Sequence, residues 1–122
     1  MTDRLSLMQI SILVFYATGM AGGQLLFKAA AMRFVSSATP IERILGLLLN
    51  GYFIAALLLY AALSLLWVWV LSFTPLSRAY PFVALAFALT PFLGMLAFAE
   101  PFSWRLAGGI VLILCGLVLV VG

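Results

Sequence analysis

The sequence predicts an all-α membrane protein with four transmembrane helices, from the distribution of its charges and from its composition. Six Lys or Arg and three Asp or Glu occur among 122 residues, and they leave uncharged stretches at 5–27, 44–77, 79–99 and 106–122. A helix needs roughly 20 apolar residues to cross the hydrocarbon core of a bilayer. Hydrophobic residues make up 67% of the chain and charged residues 7%, whereas soluble domains carry about 25% charged residues. We therefore predict one domain over 1–122, with helices near 6–31, 41–71, 78–99 and 104–121.

The first helix, near 6–31, combines small residues with a strongly polar side chain. Gly19 and Gly23 form a small-xxx-small pair, a pattern that allows a second helix to approach closely within a membrane; with Gly22 they indicate either such packing or a surface left clear for another group. Gln24 follows directly, and its amide could hydrogen-bond either a neighbouring helix or a bound polar group. Both roles stay open from the sequence, with the contact to a helix slightly favoured.

The second helix is predicted to begin at a proline-containing cap. Thr39 suits the N-cap position, Pro40 the first turn, and Glu42 the third helical position, as in a capping box. No charge interrupts the stretch over 44–77, so a single helix near 41–71 is expected.

The third helix, near 78–99, is separated from the second by Pro75 and Pro81. Pro91 lies inside it and removes a backbone hydrogen bond, which usually bends a helix. Gly94 follows within one turn and adds flexibility. We predict that Pro91 and Gly94 form the moving element of the protein and act in gating.

The fourth helix, near 104–121, is apolar and carries Gly108, Gly109 and Gly116. Gly109 and Gly116 are one heptad apart and therefore share a face of the helix. Small residues let helices pack closely in a membrane, so we predict that these glycines form a dimer contact.

The charges and the single cysteine argue against several other classes of protein. The net charge of +3 comes without a clustered stripe of Lys and Arg, so no nucleic acid partner is expected. There is no His, and Cys115 is expected to be a small buried hydrophobe, so no disulfide, metal site or cofactor is predicted. No nucleophile and base can be paired, so we do not expect an enzyme. The first apolar segment lacks a basic start and runs on to Lys28, which argues against a cleavable signal peptide.

Lys28 and Arg78 are the candidate binding residues, and each has two interpretations. Lys28 ends the first helix and Arg78 begins the third, so both could extend to lipid headgroups as anchors. Alternatively, they bind an anionic group near the membrane surface. The planar fork of arginine suits phosphate, and a helix N-terminus beside Arg78 adds N–H donors. Arg105 lies at another helix start and either joins this site or anchors the chain.

No Asp or Glu occurs within the four apolar stretches. A proton-coupled exporter of cations normally needs a carboxylate inside the membrane, so that activity is disfavoured. Glu100 is the nearest candidate, but its place beside Pro101 predicts a boundary residue paired with Arg105. Tyr60 and Tyr80 could offer hydroxyls to a substrate, although anchoring at the membrane interface explains them equally well.

The positive charges predict the orientation of the chain only weakly. Four spans place two basic residues on the side of the termini and four on the other side. This small excess favours a cytoplasmic location for the loops of Arg33 and Arg105. Because the positive charges on the two sides are so nearly balanced, insertion of the chain in both orientations stays open.

Three motifs together resemble a known family. They are the segment 21–28, AGGQLLFK; the segment 75–81, PLSRAYP; and the segment 100–103, EPFS. With them the chain, over about 12–121, resembles the small multidrug resistance family of the drug/metabolite transporter superfamily. Within it the chain looks most similar to the EamA-like flippase subunits for undecaprenyl phosphate-linked aminoarabinose.

The resemblance implies a four-helix subunit of the bacterial inner membrane that forms an antiparallel dimer, either with itself or with a paralogue. Helices 1–3 would line the substrate chamber and helix 4 would mediate dimer contacts. The resemblance also implies roles for Gln24, Lys28, Arg78 and Tyr80. Exporters of the family that couple to protons carry a glutamate two turns before this lysine, where the present chain has Met20.

The leading hypothesis is therefore a flippase that moves a polyprenyl phosphate-linked sugar between leaflets. The phosphate would meet Lys28 and Arg78, with Arg105 as a further candidate, and the expected partners are this lipid, membrane lipids and a second subunit. Two alternatives stay open. One is a small-cation or multidrug proton antiporter, which the missing acid disfavours. The other is a non-transporting partner of a glycosyltransferase, which glycine-rich helices would serve equally well.

Overall fold

The fold is that of a computed structural model, which describes residues 5–33 and 39–121. Within this part of the chain four helices are long and apolar enough to cross a membrane: Leu7–Ala31, Gly51–Leu71, Leu76–Phe98 and Trp104–Val121. The predicted fold class, all-α with four transmembrane helices, is confirmed. The charges at 3 and 4 and the residues at 34–38 lie outside the described residues.

Helix α1 covers Leu7–Ala31 and begins at a capping box. The Ser6 hydroxyl accepts a hydrogen bond from the backbone N–H of Gln9 at 3.2 Å, and the Gln9 side-chain oxygen accepts one from the Ser6 N–H at 2.7 Å. Two N–H groups that a helix start leaves unpaired are thereby satisfied. Ser6, predicted to be the first helical residue, is therefore the N-cap.

The single helix predicted near 41–71 is two helices in the structure. Helix α2 covers Pro40–Leu48 and helix α3 covers Gly51–Leu71. The side-chain oxygen of Asn50 accepts hydrogen bonds from the N–H groups of Tyr52 at 2.8 Å and Phe53 at 3.3 Å. Asn50 is thus an N-cap that starts a new helix, because its extended backbone interrupts the one before it.

The start of α2 agrees with the sequence prediction. The Thr39 hydroxyl accepts from the Glu42 N–H at 3.2 Å, and the Glu42 carboxylate accepts from the Thr39 N–H at 3.3 Å. Pro40 occupies the first helical position, where its missing N–H costs no hydrogen bond. The capping box predicted from Thr39, Pro40 and Glu42 is confirmed.

The third span is composed of three consecutive pieces. Helix α4 covers Leu76–Ala79, a 3-10 turn covers Tyr80–Phe82, and helix α5 covers Val83–Phe98 with Pro91 inside it. The helical path therefore begins two residues before the predicted start. Helix α6 covers Trp104–Val121, as predicted.

Helix α1 is the central element of the bundle, because it packs along both α3 and α5. Its buried side chains include Leu13, Ala17 and Ala21, which recur at four-residue spacing on one helix face. Helix α6 packs against α5 and has no buried residue within the described chain. Cys115 on α6 is exposed, so the expectation of a buried cysteine is wrong for this subunit, since no element of the described chain covers that face.

The predicted close approach at Gly19 and Gly23 is confirmed. A Cβ atom added at Gly19 would lie 2.9 Å from Leu63 Cδ2, and one added at Gly23 would lie 2.6 Å from Tyr60 Cε2. Both contacts are made by α3, so the glycines clear one face of α1 for that helix.

Gly23→Ala should destabilise the protein, because the new methyl group would collide with the Tyr60 ring. We expect a loss of about 1–3 kcal/mol in the free energy of unfolding, the usual cost of overpacking. Gly22→Ala is the matched control, since a Cβ there meets no heavy atom within 4 Å. Thermal unfolding of both variants in detergent measures the difference. Equal melting temperatures would contradict the close contact between α1 and α3.

Candidate functional site

Three side chains of α1 recur at one-turn spacing along one face of the helix: Met20, Gln24 and Lys28. Met20 and Gln24 line a cleft between α1 and α5, and Lys28 reaches Glu100 just beyond the end of α5. This face of α1 therefore changes from apolar to polar to cationic as it approaches one end of the bundle.

The cleft between α1 and α5 has a volume of about 430 Å³, which is in the range of small-molecule sites. Its lining residues carry no charge; they are Met20, Gln24, Ala86, Phe87, Thr90 and Pro91. The structure thus brings Gln24, predicted to bind substrate, next to Pro91, predicted to act in gating. The Gln24 amide and the Thr90 hydroxyl suit a ligand rich in hydroxyl groups. The apolar lining residues suit a hydrocarbon chain or the face of a ring.

Tyr60 of α3 orients the side chain of Gln24. The Gln24 Nε2 donates to the Tyr60 hydroxyl at 2.8 Å, and that hydroxyl donates to the Met20 carbonyl at 2.9 Å. The Tyr60 ring stacks on Phe27 with centroids 5.4 Å apart. The helix contact that the sequence slightly favoured for Gln24 is therefore present, and the same amide also faces the cleft.

Lys28 forms an ion pair with Glu100. The Lys28 Nζ lies 3.6 Å from Glu100 Oε2, and the two side chains are 48% and 43% exposed. The expected pairing of Glu100 with Arg105 is thus replaced by a pairing with Lys28, because α1 and α5 end side by side. An ion pair this exposed adds little stability, so it can open at small cost.

Glu100 is held near Lys28 by the end of α5. Ala99 terminates that helix in the left-handed conformation, at φ 53° and ψ 37°, which turns the chain back. The Glu100 Oε1 then lies over Gly94, where an added Cβ would be 2.5 Å away. Gly94 therefore has a packing role, while its role in gating stays a prediction.

Arg78 lies at the opposite end of the bundle from Lys28. Arg78 is four residues after Thr74, and Thr74 contacts Gln9 in the first turn of α1. Arg78 therefore lies near the start of α1, whereas Lys28 is in its last turn. From Gln9 to Lys28 the helix rises about 28 Å at 1.5 Å per residue. The Arg78 Nη1 donates to the Val120 carbonyl at 2.8 Å, at the C-terminal end of α6, where positive charge is favoured. The structure does not bring Lys28 and Arg78 together within one subunit, and phosphate binding by Arg78 stays a prediction.

Gln9 is a second polar side chain of α1 with a tertiary role that the sequence did not reveal. Its Nε2 donates to the Thr74 hydroxyl at 2.8 Å and to the Phe73 carbonyl at 3.3 Å. Thr74 is buried, so Gln9 satisfies its hydroxyl where water has little access. The Ser6-x-x-Gln9 spacing signals a helix start, but nothing in it indicates the contact with residues 73–74.

Tyr80 also lies at the Arg78 end, in the 3-10 turn. Its ring meets Trp67 edge to face with centroids 6.3 Å apart, and Trp67 stacks on Tyr16 at 4.8 Å. These contacts are aromatic packing near the membrane interface. Substrate binding by Tyr80 stays a prediction.

The face of α6 that carries glycines is open within this subunit. A Cβ added at Gly108, Gly109 or Gly116 would meet no heavy atom within 4 Å. Their predicted role in a dimer contact stays a prediction. Arg105 lies in the first turn of α6, at the same end as Lys28, and its binding role also stays a prediction.

Four apolar spans, with an uncharged cleft between two of them and a cation one helical turn beyond it, are the architecture of a small multi-pass membrane transporter. The model of the EamA-like transporter family matches residues 3–122, and the chain belongs to this family. It is 31% identical over 115 residues to the probable 4-amino-4-deoxy-L-arabinose-phosphoundecaprenol flippase subunit ArnE of Enterobacter sp. (strain 638), covering 94% of this chain and 98% of that relative.

No solved structure matches the chain significantly. The resemblance carried by the three sequence motifs is confirmed by the family match and by this relative. The protein is accordingly a multi-pass transporter of the bacterial inner membrane.

Tyr60→Phe removes the hydroxyl that binds both Gln24 and the Met20 carbonyl, so it should lower stability by about 1–2 kcal/mol, at roughly 0.6–1 kcal/mol for each interhelical hydrogen bond inside a membrane. Gln24→Leu removes the other side chain of the same bond. Because Tyr60 and Gln24 are the two partners of one hydrogen bond, the double variant should lose less stability than the sum of the single losses. Thermal unfolding of the wild type and the three variants in detergent gives a double-mutant cycle. Strictly additive losses of stability would show that the hydrogen bond between Gln24 and Tyr60 does not contribute.

Proposed function

We propose that the protein is a flippase subunit that moves a sugar-bearing polyprenyl phosphate between the leaflets of the inner membrane. The observation that carries this proposal is the position of Lys28 one helical turn beyond Gln24, which together with Met20 lines an uncharged cleft. The phosphate would pair with the Lys28 ammonium, the sugar would contact Gln24 and Thr90, and the polyprenyl tail would remain in hydrocarbon between the helices.

Met20 supports a lipid substrate over a proton-coupled cation. By the family resemblance its position is that of the acid in proton-coupled exporters, and here it is a thioether lining the cleft. A thioether does not titrate, so it can neither release a proton nor neutralise a cationic drug. The site therefore favours an anionic headgroup bound at its edge.

The Lys28–Glu100 pair also matches a zwitterionic headgroup. The relative is named for a lipid that combines a phosphate with an amino sugar, and these groups carry opposite charges near neutral pH. Such a headgroup would exchange partners with the ion pair: phosphate with Lys28 and ammonium with Glu100. The phosphate and the ammonium of the headgroup would each leave water together with an oppositely charged side chain, so neither charge would be desolvated without a partner.

Arg78 would receive the phosphate at the other face of the membrane. One cation at each end of α1 gives the headgroup a binding site before and after it crosses, with the uncharged cleft between. Bending at Pro91 would alternate access, and Gly94 would pass this motion to Glu100, whose carboxylate occupies the space that a side chain at position 94 would fill. An antiparallel dimer formed through α6 would supply the second wall of the chamber.

Lys28→Ala should weaken binding of undecaprenyl phosphate by about 10- to 100-fold, because a hydrogen bond to a charged group contributes about 1.5–3 kcal/mol. Lys28→Arg is the matched control, since it keeps the charge and should bind within a few-fold of the wild type. Native mass spectrometry of the purified protein in detergent measures the affinity.

Translocation of a labelled polyprenyl phosphate in proteoliposomes provides the second readout. Lys28→Ala should abolish it while leaving the melting temperature nearly unchanged, because the ion pair is exposed. Unchanged affinity in Lys28→Ala would reject the proposal. Unchanged affinity together with no translocation by the wild type would favour a non-transporting partner.

Glu100→Gln should strengthen binding of bare undecaprenyl phosphate by about two- to fivefold, because it removes a competitor for Lys28 worth up to about 1 kcal/mol. The aminoarabinose-bearing lipid should gain less, since its ammonium loses a partner. In a Lys28→Ala background, Glu100→Gln should not change the affinity for bare undecaprenyl phosphate. An equal gain for both lipids would exclude recognition of the amine by Glu100.

A further inference from the structure

We propose that the elbow between α2 and α3 is a second lipid site, which holds the phosphate headgroup of an anionic phospholipid of the surrounding bilayer. It is formed by Arg33 and by residues 49–52, and it does not depend on the transported substrate. Lipid acyl chains would lie along the apolar stripe of α2, next to this pocket.

Helix α2 does not belong to a membrane span. Helix α3 has 21 residues, so at 1.5 Å per residue it already covers about 32 Å, the thickness of the hydrocarbon core. The cap at Asn50 separates α2 from it. Since α1 ends and α3 begins at this end of the bundle, with Phe27 near Phe53 at 5.9 Å, α2 lies at the membrane surface.

The two faces of α2 differ in polarity. Its apolar stripe is 54% to 72% exposed and follows the helical spacing i, i+3, i+4, i+7; it comprises Ile41, Ile44, Leu45 and Leu48. Glu42 and Arg43 lie on the other side of the helix, and α2 has no buried residue. This pattern is typical of a helix that lies in the membrane interface with its apolar side towards the acyl chains.

A pocket of about 450 Å³ lies at the elbow, beside the end of the apolar stripe. It is lined by Arg33, Leu49, Asn50, Gly51 and Tyr52, of which Arg33 is the charged member. The Arg33 guanidinium lies over the Tyr52 ring, with Cζ 4.9 Å from the centroid. The ring stabilises the cation by a cation–π contact, and the guanidinium N–H groups can donate in pairs to a phosphate.

An anionic phospholipid matches this pocket better than a protein partner. The charged lining residue is a cation, and Leu49 beside it is 83% exposed, so a charged head and an apolar chain fit side by side. Positive residues near the membrane surface attract anionic lipids. The elbow lies on the α3 side of α1, whereas the cleft and the Lys28–Glu100 pair lie on the α5 side.

The test compares two phospholipids on the full-length protein in mild detergent. Phosphatidylglycerol and phosphatidylcholine with identical acyl chains are titrated, and bound lipid is counted by native mass spectrometry. We expect phosphatidylglycerol to bind more tightly and Arg33→Ala to lose about tenfold in that affinity, because a charge-assisted contact to phosphate is removed. Arg105→Ala, which removes a cation at the same end, is the matched control and should retain phosphatidylglycerol.

A crossed pattern separates this site from the transport site. Arg33→Ala should keep binding undecaprenyl phosphate, and Lys28→Ala should keep binding phosphatidylglycerol. Ile44→Ser, on the apolar stripe, should weaken both phospholipids, because it shortens their acyl-chain contact.

Three results would overturn the proposal. One is equal affinity for the two phospholipids in the wild type. The second is unchanged phosphatidylglycerol affinity in Arg33→Ala. The third is a dimer in the wild-type spectrum that Ile44→Ser dissolves without any change in phospholipid binding, since a second copy of the chain would then cover the stripe.

Discussion

The contact between α1 and α3 is the constraint on which the rest of the structure depends. Gly19 and Gly23 let Leu63 and Tyr60 approach the backbone of α1, and the Tyr60 hydroxyl then binds the Met20 carbonyl. Inside a bilayer no water can replace these partners, so the polar groups must be paired within the protein. The rotation of α1 about its axis is thereby determined, and the adjacent face, which carries Met20 and Gln24, is directed to α5.

The rotation of α1 places Met20 and Gln24 in the cleft and Lys28 beside Glu100. The membrane-crossing part of the cleft has no charged lining residue, and the ion pair of Lys28 and Glu100 lies at its end, about half exposed. A buried pair would resist opening because each separated charge would be left without a partner in a medium of low dielectric constant. A half-exposed pair can exchange its partners for those of a ligand.

Two elements remain incompletely covered in a single subunit. Helices α2 and α6 have no buried residue in the described chain, yet their open faces differ. The side of α6 that carries Val111, Leu114 and Val118, away from Gly109 and Gly116, is an open apolar surface, which suits another apolar helix. The stripe of α2 instead ends at a cationic pocket, which suits an amphipathic lipid. The two open surfaces therefore suit different occupants, an apolar helix at α6 and an amphipathic lipid at α2.

The sequence by itself determined the four spans, the cap at Thr39 and the glycine pair of α1. These features follow from local terms: transfer of apolar residues into hydrocarbon, pairing of helix-end N–H groups, and the absence of a side chain. The break at Asn50 was missed because a single side-chain cap interrupts an otherwise continuous apolar run. Tertiary structure alone decided that Glu100 pairs with Lys28 and that Arg78 caps α6, because packing brings together residues that are distant along the chain.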